Sequence, residues 1–309
     1  MGISAIRNLV LLASVTYTCT ARPQYRRDNN GHLQILDMDY SGYKAGDEPD
    51  ASLDFAALQD GCFGAIRNGD NCVDTKPNDS RVQANPENSN DNVMEIQMRA
   101  GTYGAEQKHA GSQFYSSQLE ELPGLLAATL EYEVYFPKDF EWTLGGKLPG
   151  MHGGSRKCSG GYFAQGDDCF STRLMWRADG DAEAYMYIPM ALQTEDLCSK
   201  CSGYPSGTKC KDISHCSLNR GAFSFNAGKW NKIKQQIWLN EAGSSDGWFG
   251  LYHDNNKVMV EDITYRSSDK VPLSGLYFSS FFGGDGEKYA PAHDQTLNFR
   301  GIKLTAGIV

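Results

Sequence analysis

The sequence predicts an all-β protein, a single-domain β-jelly roll or two-sheet sandwich with disulfide-stapled loops. Three observations carry that expectation: repeated period-two alternation, turn-forming clusters between the alternating runs, and no long stretch with helical spacing. Residues 93–99 form the first alternating run. Residues 129–136 form the next, with Leu130, Tyr132, Val134 and Phe136 alternating with Thr129, Glu131, Glu133 and Tyr135. Successive side chains on a strand point to opposite faces, so each run is a strand with one buried face. Residues 171–177 and 183–189 read as the two arms of a hairpin with Asp179-Gly180-Asp181 at its tip. Residues 232–239, 275–282 and 296–304 alternate in the same way. Between the runs lie clusters such as Asn85-Pro86-Glu87-Asn88, Ala242-Gly243-Ser244-Ser245 and Gly283-Gly284-Asp285-Gly286, residue types that supply turns. A short helix fits only residues 52–60. Many strands with regular turn signals imply one domain over residues 51–309.

Composition excludes several classes. With 22% charged and 11% aromatic residues in 309, the chain is too apolar for disorder. A net charge of −9 leaves no broad basic face, which argues against nucleic acid as a partner. At the N-terminus Arg7 precedes Leu9-Val10-Leu11-Leu12-Ala13, and Cys19-Thr20-Ala21 follows, the pattern of a signal peptide over residues 1–21. The protein is therefore expected to be secreted and extracellular. After cleavage no apolar run approaches the ~20 residues that span a bilayer, so no membrane partner is expected. Cleavage removes Arg7 and no acid, leaving 28 cations against 38 acids, a charge of −10. Residues 22–50 form a polar N-terminal segment in which Arg26-Arg27 offers a second, dibasic processing site.

Loss of the signal removes Cys19 and leaves eight cysteines, an even number suited to four disulfides in an oxidising compartment. Cys62 with Cys72 and Cys158 with Cys169 read as local loop staples. Cys198, Cys201, Cys210 and Cys216 permit three pairings. The same four with His215 also permit a zinc knot, a reading that secretion disfavours. Asn78-Asp79-Ser80 is a glycosylation sequon in a polar loop.

The stretch 142–189 is where chemistry is expected. Lys147, Arg156, Lys157, Arg173 and Arg177 face only Asp167 and Asp168 across residues 147–177, a positive island in an acidic chain. Screening beyond ~8 Å lets such an island hold an anion despite the repulsive average. Alternation in the hairpin puts Leu174, Trp176, Met186 and Ile188 on a core face, and Ser171, Arg173, Arg177, Tyr185 and Tyr187 on the other. With Gly180 at the centre of the turn, Arg173 lies across from Tyr187 and Arg177 across from Glu183, the latter as a structural ion pair. Proton removal beside a carboxylate needs a base near the carbon and a cation that neutralises the carboxylate. Arg173 and Lys147 supply the cations, and Tyr185 and Tyr187 supply groups that take or return a proton.

Gly145-Gly146-Lys147-Leu148-Pro149-Gly150, Ser171-Thr172-Arg173 and Tyr185-Met186-Tyr187-Ile188-Pro189 resemble the secreted polysaccharide lyases of family 14, which include alginate and polyglucuronate lyases. Gly101-Thr102-Tyr103, Gln113-Phe114-Tyr115 and Phe281-Phe282-Gly283-Gly284 extend the resemblance over about residues 85–305. The resemblance implies a β-jelly roll that breaks glycosidic bonds beside a uronic acid by β-elimination. It assigns catalysis to Lys147, Arg173, Tyr185 and Tyr187, and substrate binding to Ser171. Gln113, His109 and His152 are further candidates for lining the groove. The segment 198–216 has no place in the family pattern. A borderline position at the groove would let it alter substrate preference.

Two other classes are weighed. A glycoside hydrolase would use a carboxylate pair, for which Glu131 and Glu133 share a strand face, although a solvated face explains them equally. A non-catalytic carbohydrate-binding protein would use Trp142, Trp176, Trp230, Trp238 and Trp248. No cofactor is required, since the cations neutralise the substrate; Asp285 and Asp294 are the candidates for a structural calcium. The expected partner is an acidic polysaccharide, and the expected state a monomer.

Overall fold

A computed structural model describes residues 26–40, 42–46, 66–68, 71–73, 79–104, 107 and 109–309. Two antiparallel sheets dominate it. One has nine strands, in the order Arg26–Arg27, Leu33–Met38, Gln295–Ala306, Ala127–Tyr135, Trp230–Trp238, Trp248–His253 and Asn256–Asp262; Ser80–Asn85 and Asn88–Met98 join it through Gln295–Ala306. The other has eight, in the order Gly150–Gly154, Leu273–Phe282, Gly146–Leu148, Cys169–Trp176, Ala182–Tyr187, Cys216–Leu218 and Cys201–Ser202, with Gly111–Tyr115 paired to Leu273–Phe282. Every alternating run of the sequence is a strand here, begun one or more residues earlier and in most cases ended one or two residues sooner. The fold is the expected β-jelly roll.

Alternation decides what each sheet buries. From the nine-stranded sheet Leu130, Tyr132, Val134, Ile233, Ile237, Leu251, Phe299 and Leu304 enter the core. From the other come Leu148, Leu174, Trp176, Met186, Ile188, Leu276, Phe278 and Phe282. Trp176 is fully buried against Phe136, Phe140 and Phe282, and its indole N–H donates to the Trp142 carbonyl. Each large aromatic buried this way contributes a few kcal/mol, ~25 cal/mol per Å² of apolar surface removed from water. That makes the core-facing half of the eight-stranded sheet a rigid base for what stands on its other face.

Some expectations change. Within the segment 22–50, Leu33–Met38 pairs with Gln295–Ala306 and sends Ile35, Leu36 and Met38 into the core, so the folded unit takes in part of that segment. The hairpin register is displaced by two residues: Arg173 lies across from Tyr185, Ser171 from Tyr187, and Met175 from Glu183. The turn is centred on Asp179 rather than Gly180. Asp179 and Gly180 both take left-handed conformations, φ 58° and 84°, and Arg177 N–H donates to Asp181 O across the neck. A two-residue displacement preserves the faces, so the side-chain sets are as expected. The zinc-knot alternative is overturned: the cysteines pair as Cys198–Cys210 and Cys201–Cys216. Cys158–Cys169 is the expected local staple. The leader 1–21, the short helix at 52–60, Cys62 of the Cys62–Cys72 pair and Asn78 lie outside the described residues.

Candidate active site

On the face of the eight-stranded sheet turned away from the core, cross-strand pairing sets side chains in rows. Directly paired residues share a face, so Lys147, Met175 and Glu183 form one row. Arg173, Tyr185 and Ser217 form a second, and Ser171 and Tyr187 begin a third with His152 opposite Ser171. Met175, Tyr185, Tyr187, Cys158, Cys169 and Ala164 make a separate small cluster, distinct from the main core.

The four residues expected to do chemistry converge here. Lys147 Nζ sits 3.2 Å from the Tyr185 ring centroid and 2.7 Å from Met175 Sδ. The Arg173 guanidinium lies 5.6 and 5.9 Å from the rings of Tyr185 and Tyr187, and stacks at 4.3 Å on Tyr277. The two phenol oxygens are 3.3 Å apart, and Gly161 N–H donates to Tyr187 Oη at 2.9 Å. These groups form a floor rather than an open surface: Tyr185 is 9% exposed, Lys147 7%, and Arg173 and Tyr187 2% each. The loop 155–168, tied by Cys158–Cys169, and the segment carrying His215 border the floor.

Charge balance singles out Arg173. Its neighbour Arg177 pairs with the buried Glu183, which also takes Arg220 Nε at 2.6 Å. Arg173 has no such partner among the described residues. Its one hydrogen bond runs from Nη1 to Ser279 Oγ at 3.3 Å, and its Nε has none. A guanidinium removed from water without an anion is costly, so this one is poised to receive an anion. Burial, and then the positive charges of Arg173 and Arg177, hold the Lys147 amine well below the usual lysine range. Burial, and then the adjacent Tyr187, push the Tyr185 phenol well above the usual tyrosine range, so it stays protonated.

The supporting residues divide differently from the sequence reading. Gln113 Oε1 accepts from Tyr277 Oη at 3.1 Å and from Ser279 Oγ at 3.2 Å, and thereby braces both groups that hold Arg173. Ser171 Oγ donates to the Cys158 carbonyl at 2.7 Å, so here it anchors the neighbouring loop rather than facing a sugar. His152 is buried edge-on to Tyr115, with Nε2 2.8 Å from the Ser116 carbonyl; burial lowers its pKa to about 4 and keeps it neutral. His109 does not join the site. Its Nδ1 is 3.2 Å from the buried Asp79 carboxylate, which also accepts from Gly111 N–H and so draws the imidazole to itself.

Glu131 and Glu133 lie on the outer face of the opposite sheet, where Glu133 pairs with Arg300 at 2.9 Å, so they form no carboxylate pair at the site. Trp176 belongs to the core, with Trp142 packed against it. Asp294 is held by Arg99 at 2.5 Å and by Ala100 N–H, and Asp285 is exposed. Three contributors escaped the sequence reading: Tyr277, Gly161 and His215. Tyr277 was within reach, because alternation in 275–282 sets Tyr277 and Ser279 opposite Leu276 and Phe278. Gly161 and His215 come from loops, where period-two spacing carries no signal.

Comparison with known proteins bears on the fold and the family. The model of the family described as polysaccharide lyase 14 matches residues 86–302. The PL-14 alginate lyase from Aplysia kurodai is 31% identical, with a TM-score of 0.61 over 72% of this chain and 86% of that one. A double variant of the alginate lyase Aly36B in complex with an alginate trisaccharide shares the fold at 16% identity, with a TM-score of 0.64 over 89% of this chain and 98% of that one. The protein Exolysin of Paramecium bursaria Chlorella virus 1 is 21% identical over 228 residues, 67% of this chain; the chain spans a third of that relative's length.

Proposed function

The chain belongs to polysaccharide lyase family 14, and we propose that it cleaves a uronic-acid polysaccharide of the alginate or glucuronan type by β-elimination outside the cell. The observation that carries the substrate class is the buried Arg173 guanidinium without an anion, beside Lys147 and the tyrosine pair. In this mechanism the uronate carboxylate docks on Arg173 and Lys147. Its charge is neutralised, and the adjacent C5 proton becomes acidic enough to leave. Tyr187 takes that proton as its phenolate, its own hydroxyl proton having passed to solvent. Its oxygen already accepts the Gly161 N–H, a donor suited to holding negative charge there. The C5–H electrons form the C4–C5 double bond, and the bond from C4 to the glycosidic oxygen breaks. Tyr185, kept protonated by burial, gives its proton to the departing oxygen and regains one from Tyr187 across the 3.3 Å contact between the two phenols, which restores the starting state. The products are one new reducing end and one unsaturated uronic acid at the new non-reducing end.

Alginate is the first substrate to try, because the relative at 31% identity is an alginate lyase. Three disulfides among the described residues support an oxidising, extracellular setting. Mixing the protein with polymannuronate, polyguluronate and polyglucuronate and following ultraviolet absorbance of the new double bond tests the reading. A rise on at least one polymer is expected. Reducing sugar without absorbance would mean hydrolysis, and no product from any of the three would defeat the proposal.

A further inference from the structure

The segment 198–216, which the sequence could not place, ends at the tyrosines. Its strand Cys216–Leu218 pairs with the tyrosine strand, Tyr185 across from Ser217 and Met186 across from Cys216, and that register carries His215 alongside Tyr187. Cys201–Cys216 and Cys198–Cys210 staple the segment on either side. These cross-links close loops of sequence separation 15 and 12 and tie the backbone on both sides of His215. The imidazole stacks on Tyr187 with centroids 5.3 Å apart and planes 26° from parallel, and lies 4.8 Å from the Tyr185 ring.

Its two nitrogens differ. Tyr204 O–H donates to the His215 carbonyl at 2.7 Å, so toward Nδ1, 3.2 Å away, the same phenol oxygen acts as acceptor. Nδ1 therefore carries the proton, with Ser214 Oγ a further 3.0 Å neighbour, and Nε2 holds the lone pair. No described residue lies within hydrogen-bond reach of Nε2. The imidazole is neutral: burial, then Lys147, lowers its pKa to about 4.

We propose that His215 is a specificity-determining residue that accepts a hydrogen bond from a sugar hydroxyl through Nε2 while its ring holds Tyr187 in place. The inference deepens the lyase reading and rests on it. A neutral acceptor suits a hydroxyl and repels a carboxylate, so it complements Arg173 and Lys147 instead of competing with them. Uronic acids differ in the orientation of their ring hydroxyls, and an acceptor fixed by two disulfides can read that orientation.

Three variants separate the two roles. His215→Phe keeps the stacked ring and removes the acceptor; KM for the preferred polyuronate should rise roughly tenfold with kcat nearly unchanged, and the preference between polyuronates should narrow. His215→Gln keeps an acceptor and should restore much of the preference. His215→Ala removes ring and acceptor, and kcat should fall as well. Circular dichroism and thermal melts establish that each variant is folded, and calorimetric binding to a Tyr187→Phe background reads affinity without turnover. An active wild type with unchanged KM and unchanged preference in His215→Phe overturns this inference alone. A wild type inactive on every polyuronate overturns the lyase reading and this inference with it.

Discussion

Replacing Arg173 with methionine should inactivate the protein and leave it at least as stable. Methionine is of similar length and apolar, so the change removes the charge while keeping most of the volume. The folded protein loses the stacking on Tyr277 and one long hydrogen bond to Ser279. Those contacts are worth about 2 and 1 kcal/mol at most. Against that stands the desolvation of a guanidinium that is 2% exposed and has no described carboxylate partner, a penalty of several kcal/mol. The balance is about 0 to +2 kcal/mol in favour of the variant, a Tm rise of up to ~4 °C for a domain of this size. Activity moves the other way. A docked uronate loses two charge-assisted hydrogen bonds, about 3–5 kcal/mol, so kcat/KM should fall by roughly 10² to 10⁴. Arg177→Met is the internal control. It strips one of two partners from the buried Glu183 and should cost about 3 kcal/mol. Differential scanning calorimetry and the absorbance assay read both quantities. If Arg173→Met destabilises the protein as much as Arg177→Met does, the claim that this guanidinium awaits an anion is wrong.

Other consequences follow from the same floor. Tyr187→Phe should reduce kcat by roughly 10³ and Tyr185→Phe by roughly 10², since each removes a proton-transfer group but no packing; equal losses in KM alone would contradict the assignment. Docking of a carboxylate should restore the proton that burial and two arginines weaken on Lys147. Binding to a Tyr187→Phe background should therefore take up protons, seen by calorimetry over a pH series in buffers of different ionisation heat, and Lys147→Arg should abolish the uptake. His152 titrates near 4 when folded and near 6.5 when unfolded, so the unfolded chain binds more protons between those values. Its contribution, roughly 3 kcal/mol, is complete above pH 6.5 and lost as the pH falls to 4. Urea titrations across that range should show a flatter decline in His152→Gln, which keeps a donor for the Ser116 carbonyl.

How much of this was legible depends on which physical signal each residue carries. Tyr185 and Tyr187 were placed on the right face because period-two alternation reports faces and ignores register. An error of two residues in the hairpin moved Arg173 from Tyr187 to Tyr185 and left all three on one side of the sheet. A one-residue error would have sent Met175 inward and Trp176 outward, against the core that Trp176 fills. The position of the turn depends on left-handed backbone at Asp179, which a sequence of alternating aspartates and glycine does not distinguish from the same conformation at Gly180 alone. His109 misled for a different reason: a histidine beside a glycine-rich loop carries no mark of its partner, and its partner Asp79 lies 30 residues earlier in the chain.

The floor carries many buried polar groups without collapsing because the sheet beneath it is fixed from its other side. One face of the eight-stranded sheet is locked by Leu174, Trp176, Met186 and Phe278, so the strands cannot shift to relieve the charge on the other. Glu183 neutralises Arg177 and Arg220, Gln113 braces Ser279 and Tyr277, and the Cys158 loop is tied through Ser171. Those contacts hold the groups they join, although Arg177 Nε and His152 Nδ1 are also left without a hydrogen bond. Arg173 and His215 Nε2 flank the same pair of phenols, the first a donor without an anion and the second an acceptor without a described donor. A sugar that carries a carboxylate and hydroxyls on one ring supplies both missing partners at once, and a neutral glycan supplies only one.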